Sequence, residues 1–263
     1  MSILRDAMDP ERALALEATL DRPTAGIVMG AEARPLRHWL YFWHIAPRHN
    51  LGRDGHLGLD ASYAGMRRMW AGSRLEFHQP LIFGEAAEKV VTTEKVEDKV
   101  GRSGKLRFVT VKHVVSQKGQ PVLTDYHDLV YRAEDSVLAA PEPAPVDHVA
   151  EETWNVDTTI LFRYSALTFN GHRIHYDREY TTGIEGYRAL VVHGPLLATL
   201  AVDFACAQMP GRRLARYSFR NRRPVMDDQG FHIRCRPTGD AKLAVWIADA
   251  DGALALQAEA EFA

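Results

Sequence analysis

Cysteine is scarce in this 263-residue chain, with two residues in all: Cys206 in a helical run and Cys235 in a strand-like one. That number fits buried free thiols better than a disulfide framework or a thiolate metal cluster, and neither thiol is given a catalytic role. An excess of one charge is also missing. Charged residues make up 25% of the chain, both signs are interspersed and the net charge is -2, so neither a nucleic-acid stripe nor a membrane-attracting patch is indicated. The longest apolar runs stop well short of the ~20 residues that span a bilayer. The opening MSILRDAMDPER lacks the apolar core of a signal peptide, so a cytoplasmic protein is expected, with no nucleic-acid or membrane partner.

What is present is two rounds of one plan. Residues 10–20 carry leucines at helical spacing and predict a surface helix. Residues 35–47, PLRHWLYFWHIAP, hold two tryptophans, a tyrosine and a phenylalanine between prolines, and are a buried segment or a pocket wall. A glycine-rich connection over 48–65 follows. Period-two alternation then marks strands at 73–78, 86–98, 105–116 and 121–132, with turns at Gly84, Gly101–Gly104 and Lys118–Gly119. The proline- and alanine-rich stretch VLAAPEPAPVDHVAEE separates residues 1–140 from 151–263, with 141–150 as linker. Period two returns at 216–225, 231–237, 241–250 and 252–262. Aligning Arg74-Leu-Glu-Phe with Arg216-Tyr-Ser-Phe gives an offset of 142 residues and points to an internal duplication.

Between linker and second meander lies the densest chemistry. Asn170, His172, His175 and Asp177 fall within eight residues, followed by a helix predicted from Gly194, as N-cap, and Pro195, as first helical position, to about Met209. That helix is apolar nearly all round and must be wrapped by other structure. The architecture expected is α+β, a double hot-dog of two antiparallel sheets each wrapping a helix, with the N-terminal helix degenerate.

The motif YSALTFNGHRIHYD with VVHGPL resembles the (R)-specific enoyl-CoA hydratase and MaoC-like dehydratase superfamily. The likeness is strongest to its two-domain branch, the hydroxyacyl-thioester dehydratases and the mesaconyl-C4-CoA (3-methylfumaryl-CoA) and itaconyl-CoA hydratases. RPLRHWLYF, RRMWAGSRLEFHQPL, GRSGKLRFVTVKH and DLVYR agree with that branch's first domain, and the resemblance covers about residues 10–262. It implies a hydro-lyase acting on the double bond of a short branched dicarboxylyl-CoA thioester. The alternatives are a 3-hydroxyacyl-thioester dehydratase of fatty-acid type, and a non-catalytic or thioesterase hot-dog acyl-CoA binder. The family's Asp falls on Asn170, its Asn on His172 and its His on His175, so the first of these positions departs from the pattern.

Hydration of an enoyl thioester needs a base for water, an acid for the α-carbon and donors for the thioester oxygen. His175 is assigned the proton transfers, Asn170 the orientation of water, and His172 either a lining or a loop-holding role. Tyr164, His193, Gly194, Leu196, Trp70 and Arg163 are expected to bind substrate, with free N–H groups near Gly194 to Leu196 facing the thioester oxygen. Trp39, Trp43 and Trp70 would shape the acyl pocket, and Arg67, Arg68 and Arg163 are candidates for the CoA phosphates. Asp177 is expected to be a cap and Asp203 to pair with Arg212 or Arg213. His172 and His175 with His193 could form a metal site, but they lack a convincing fourth ligand, and no metal or redox cofactor is required. A homodimer is expected.

Overall fold

The computed structural model describes residues 1–56, 66–101, 104–133 and 140–263. Strand β1 (Ser2–Asp6) and helix α1 (Glu11–Thr19) precede β2 (Met66–Phe77), β3 (Ala87–Gly101), β4 (Gly104–Gln117) and β5 (Gln120–Ala133). The second round holds β6 (Ala150–Trp154), α2 (Thr158–Leu167), α3 (Arg178–Gly183), α4 (Gly194–Ala207), β7 (Leu214–Asn221), β8 (Phe231–Gly239), β9 (Lys242–Asp249) and β10 (Leu254–Phe262). Among the described residues no helix is long and apolar enough to cross a membrane.

One ten-stranded antiparallel sheet runs in the order β1-β3-β4-β5-β2-β7-β10-β9-β8-β6. Read outward from the central β2–β7 pair, the two halves have the same order. Leu75 faces Tyr217, 142 positions further on, so at this one pair a residue meets the one matched to it by the offset seen in the sequence, and the pseudo-two-fold axis passes between them. Close approach here depends on Gly72: a Cβ on it would lie 2.1 Å from the Phe219 carbonyl oxygen.

Period two located most strands correctly but placed the start of β2 seven residues late. Residues Met66–Trp70 pair only with β5, and Met66, Arg68, Met69 and Trp70 line a cavity, so nothing imposes an apolar/polar alternation on them. The β4–β5 turn is tight, with Lys118 and Gly119 both at positive φ (49° and 76°), as a two-residue hairpin requires. The linker packs against the second half: Ala144 N–H donates to Gly252 O, and Leu254 N–H to Glu142 O. Its end, from Ala150, becomes β6.

Helix α4 sits against β7, β8, β9 and β10. His193, not Gly194, is its N-cap, Pro195 occupies the first turn and the helix ends at Ala207. Leu196, Leu197, Leu200 and Val202 are almost wholly buried, each worth roughly 1.5–3 kcal/mol in area removed from water. Asp203 does not pair with Arg212 or Arg213. It accepts from buried Arg37 (2.9 and 3.1 Å) and also pairs with Arg22. Arg37 in turn donates to Glu17 (2.9 Å). This buried ion network ties α1 and the first half's aromatic segment to the second half's central helix, and removing one partner would strand a buried charge.

Candidate active site

The polar loop begins where α2 ends. Thr168 Oγ1 donates back to Tyr164 O (2.7 Å), Phe169 takes a left-handed φ of 51°, and the Asn170 N–H donates to Ser165 O (2.8 Å). Trp43, from the first half, stacks on Phe169 with ring centroids 5.0 Å apart and donates its indole N–H to Leu167 O (3.2 Å). The aromatic segment of 35–47 is therefore a clamp on the loop as well as a pocket wall. Past the loop, Asp177 caps α3 through Tyr180 N–H and pairs with Arg173, the capping role expected for it.

His175 is buried, and its Nδ1–H donates to Val191 O at 2.7 Å. That bond selects the tautomer, so Nε2 carries a free lone pair on a residue that lines the cavity. Burial first, then the neighbouring His172, pushes the His175 pKa down from 6.5 to about 3, so the ring is neutral at physiological pH. Behind it His193 stacks at 3.7 Å, shares a 2.8 Å hydrogen bond with Ser165 Oγ, and is likewise held neutral by burial. His193 thus supports His175 from behind and does not line the cavity.

Asn170 does line the cavity, but its Oδ1 already accepts the His172 N–H at 3.0 Å. The carbonyl expected to orient water is committed to a loop-closing Asx turn, and the amide NH₂ is the group left to face substrate. A matching turn comes from the first half. In Asp54-Gly55-His56, Asp54 Oδ1 accepts the His56 N–H at 3.0 Å, just as in Asn170-Gly171-His172. The two turns pack glycine to glycine, where a Cβ on Gly55 would lie 2.0 Å from Gly171 O, and His56 stacks on His172 at 4.0 Å. A carboxylate absent from the loop at Asn170 is thereby supplied beside it by Asp54. Burial works to raise the Asp54 carboxyl, and the hydrogen bonds from His56 outweigh it and hold the group down at about 2. The signal was in the sequence, as the repeated pattern Asx-Gly-His. Asp54, His56 and His172 also bring one potential metal-ligand atom each within 4.8 Å of one another. The alternative trio of His172, His175 and His193 is not so arranged, since His175 and His193 meet ring face to ring face.

At the start of α4, Pro195 has no N–H and Leu197 N–H donates to His193 O (3.0 Å). Gly194 and Leu196 are left as first-turn donors without intrahelical partners, at the positive end of the helix. Gly194 and Leu197 line the cavity, whereas Leu196 is fully buried behind it. Tyr164 and Trp70 line it as expected. Arg163 points outward, exposed on α2, and is removed from the site; Arg68 does line the cavity, and the Arg67 side chain lies outside the described residues.

The cavity encloses about 1100 Å³ and is shared by both halves. Lys89, Arg53, Arg68, Arg132, Arg222 and Arg223 line it against only two carboxylates, Asp54 and Glu185, among the described residues. In a chain of net charge -2 this is a local concentration of positive charge suited to an anionic ligand. Its first-half wall also carries groups that no sequence motif marked. Buried Asp125 accepts from Trp39 Nε1 (2.9 Å) and contacts His127 Nε2 (2.7 Å) and His38 Nε2 (3.3 Å), and His113 stacks on His127 at 4.1 Å.

By architecture the molecule is a double hot-dog protein. It superposes on a MaoC-like dehydratase from Phytophthora capsici with a TM-score of 0.76 at 14% identity, covering 100% of this chain and 95% of that one. HtdX from Mycobacterium tuberculosis gives 0.72 at 15% identity, covering 98% and 99%. The particular family is settled by sequence: the chain belongs to the hydroxyacyl-thioester dehydratase type 2 family, whose family model matches residues 36–227. It is 40% identical to the mesaconyl-C(4)-CoA hydratase of Chloroflexus aurantiacus over 95% of this chain and 91% of the relative. It is 28% identical to the mitochondrial hydroxyacyl-thioester dehydratase type 2 of Schizosaccharomyces pombe over 95% and 94%. The chain is thus an enzyme of the hydro-lyase class, of enoyl-thioester hydratase type.

Proposed function

We propose that the enzyme adds water reversibly across the double bond of a short, branched dicarboxylyl-CoA thioester of the mesaconyl-C4-CoA type, giving a citramalyl-CoA. The observation that carries the reaction is the single free lone pair at His175 Nε2, fixed by the bond to Val191 O on a ring that lines the cavity close to the start of α4. In the hydration direction Nε2 takes a proton from water as its oxygen bonds to the β-carbon. Charge gathers on the thioester oxygen, where the Gly194 N–H stabilises it, one such donor being worth about 3–4 kcal/mol. The proton on Nε2 then passes to the α-carbon, leaving His175 neutral as it began. Asn170 holds the loop's geometry and offers its NH₂ to substrate. None of these steps calls for a redox cofactor or a metal, and coenzyme A enters as part of the substrate.

The choice of acyl group is supported by the 40% identical relative, a mesaconyl-C4-CoA hydratase by name, and by the cationic cavity, which suits both CoA phosphates and a second carboxylate. Residues 1–140 would shape the acyl pocket, and 151–263 would carry the acid/base chemistry. The test is a panel of enoyl-CoA and 3-hydroxyacyl-CoA esters, following enoyl-thioester absorbance and, separately, release of free thiol. Highest kcat/KM on the 3-methylfumaryl thioester is expected. Preference for unbranched 3-hydroxyacyl esters would replace this reading with fatty-acid-type dehydration, and thiol release without change in absorbance would replace it with thioester hydrolysis.

A further inference from the structure

The two halves carry the same strands in the same register, so their inward faces can be compared position by position. In the second half Tyr217 faces Ala260, which faces Leu243; in the first, Leu75 faces Asp125, which faces His113. Two residues along, Phe219, Ala258 and Val245 match Phe77, Leu123 and Val115, while in the other direction along β5 His127 stands at the position of Phe262. The second-half residues are buried and apolar, on strands packed against α4. At three of the matched positions the first half has Asp125, His127 and His113 instead, and there the cavity occupies the space. The fold does not demand this polarity, because the sister half builds the same sheet without it, and burying such groups is costly.

Lys89 lies on the adjacent strand, opposite Val115 and diagonal to His113. Its ammonium packs over the Phe42 ring (5.0 Å to the centroid) and lines the cavity, and among the described residues no carboxylate is within 4 Å of it. Asp125 acts on it through space and makes no direct ion pair with it. One of that carboxylate's oxygens is occupied by Trp39, His127 and His38, and the other is buried without a partner. Burial accordingly draws Lys89 down to about 8 and His113 to about 2, the attraction of the more distant Asp125 being too weak to offset it. The chamber adjoins the reacting centre. Gly194 packs against the Asn221 amide, Asn221 Nδ2 donates to Trp70 O (2.9 Å), and the Trp70 ring lies 4.2 Å from His127.

We propose that Lys89, His113 and His127, backed by Asp125, form a carboxylate subsite that holds the acyl group's own free carboxylate and so selects dicarboxylyl over monocarboxylyl thioesters. This rests on the hydratase reading above and adds to it the residues that decide the substrate class. A resident divalent cation suits the chamber poorly, since the ammonium would repel it. A second catalytic centre would need a helix N-terminus for the thioester oxygen, and among the described residues none stands here.

The experiment compares kcat/KM for 3-methylfumaryl-CoA and crotonyl-CoA in the wild type, Lys89→Met and His113→Leu, the last installing the sister half's residue. Inhibition of crotonyl-CoA hydration by free mesaconate, butyrate and inorganic phosphate is measured alongside. Deleting the protein's side of a charged hydrogen bond costs about 10- to 100-fold in affinity. The expected result is a loss on the dicarboxylyl ester at least ten times that on crotonyl-CoA, with mesaconate inhibiting better than butyrate or phosphate in the wild type only. Equal losses on the two esters, at unchanged melting temperature, would overturn the subsite. So would inhibition by phosphate equal to that by mesaconate, which would make the chamber a general anion site. A wild type that hydrates crotonyl-CoA but no dicarboxylyl ester would refute the proposed substrate; the subsite would then stand only if Lys89→Met abolished mesaconate inhibition, and would fall if it did not.

Discussion

At the residue scale the decisive fact is that His175 is neutral for structural reasons. Its Nδ1–H is spent on Val191 O, and burial draws its pKa from 6.5 to about 3. A base works in its unprotonated form, so kcat/KM falls as pH drops through that pKa. The acid limb should therefore appear near pH 3 and not near 6.5, and a stopped-flow pH profile on folded enzyme checks it. His175→Ala should lose ~10²–10⁴-fold in turnover with an unchanged circular dichroism spectrum. Asn170 is the second residue-scale test. Asn170→Asp keeps the oxygen that accepts the His172 N–H and should retain measurable activity. The charge it adds favours protonated imidazole nearby, so the acid limb should move up. Asn170→Ala opens the turn and should cost at least about tenfold, a missing hydrogen bond of about 1 kcal/mol amplified by misplacement of the loop. Activity equal to wild type would remove the Asx turn from the mechanism.

At the scale of elements, the β2–β7 pair is the joint on which the cavity depends, because it sets the first half's wall against the loop and α4. Gly72 meets backbone there, and backbone cannot swing aside as a side chain can. Gly72→Ala should destabilise the protein by about 3 kcal/mol, the upper end for overpacking, and show as a lowered midpoint in urea denaturation. The paired turns at Gly55 and Gly171 are a second contact of this kind. They explain why the dense run at 164–177 holds only part of the site: Asp54 and His56 are more than a hundred positions away and arrive by packing.

At the scale of the whole molecule, several buried or half-buried histidines are held below their ordinary value of 6.5 when folded, desolvation being the leading cause: His38, His56, His172, His175 and His193. Unfolded, each titrates near 6.5 and binds protons that the folded chain refuses. Stability is therefore full above about pH 6.5 and declines as pH falls toward 3. Melting temperature should drop across that range, ahead of the catalytic limb, and activity lost at pH 4–5 should track unfolding. One cavity serves both halves, and the loop with its helix N-terminus belongs to the second half alone among the described residues. Titration with a tight substrate analogue should thus give one site per chain; two equivalent sites would refute it.

The sequence alone determined the parts that are local. Alternation located eight of the strands because successive side chains point to opposite faces of the sheet, the offset of 142 captured the duplication because both halves use the same register, and Gly194-Pro195 marked the start of the central helix. It also picked out His175, Tyr164 and Trp70, which the structure places on the wall of the cavity. Only the tertiary structure decided the rest. Arg163 fell on an exposed face, Leu196 and His193 behind the wall, and Asp203 beside Arg37 in place of Arg212 or Arg213. The sequence marks Asp125-x-His127 merely as two residues on one face of a strand. Whether that face meets a helix, as in the second half, or a cavity, as in the first, depends on what packs against it, and contacts between residues far apart in the chain leave no periodicity to read.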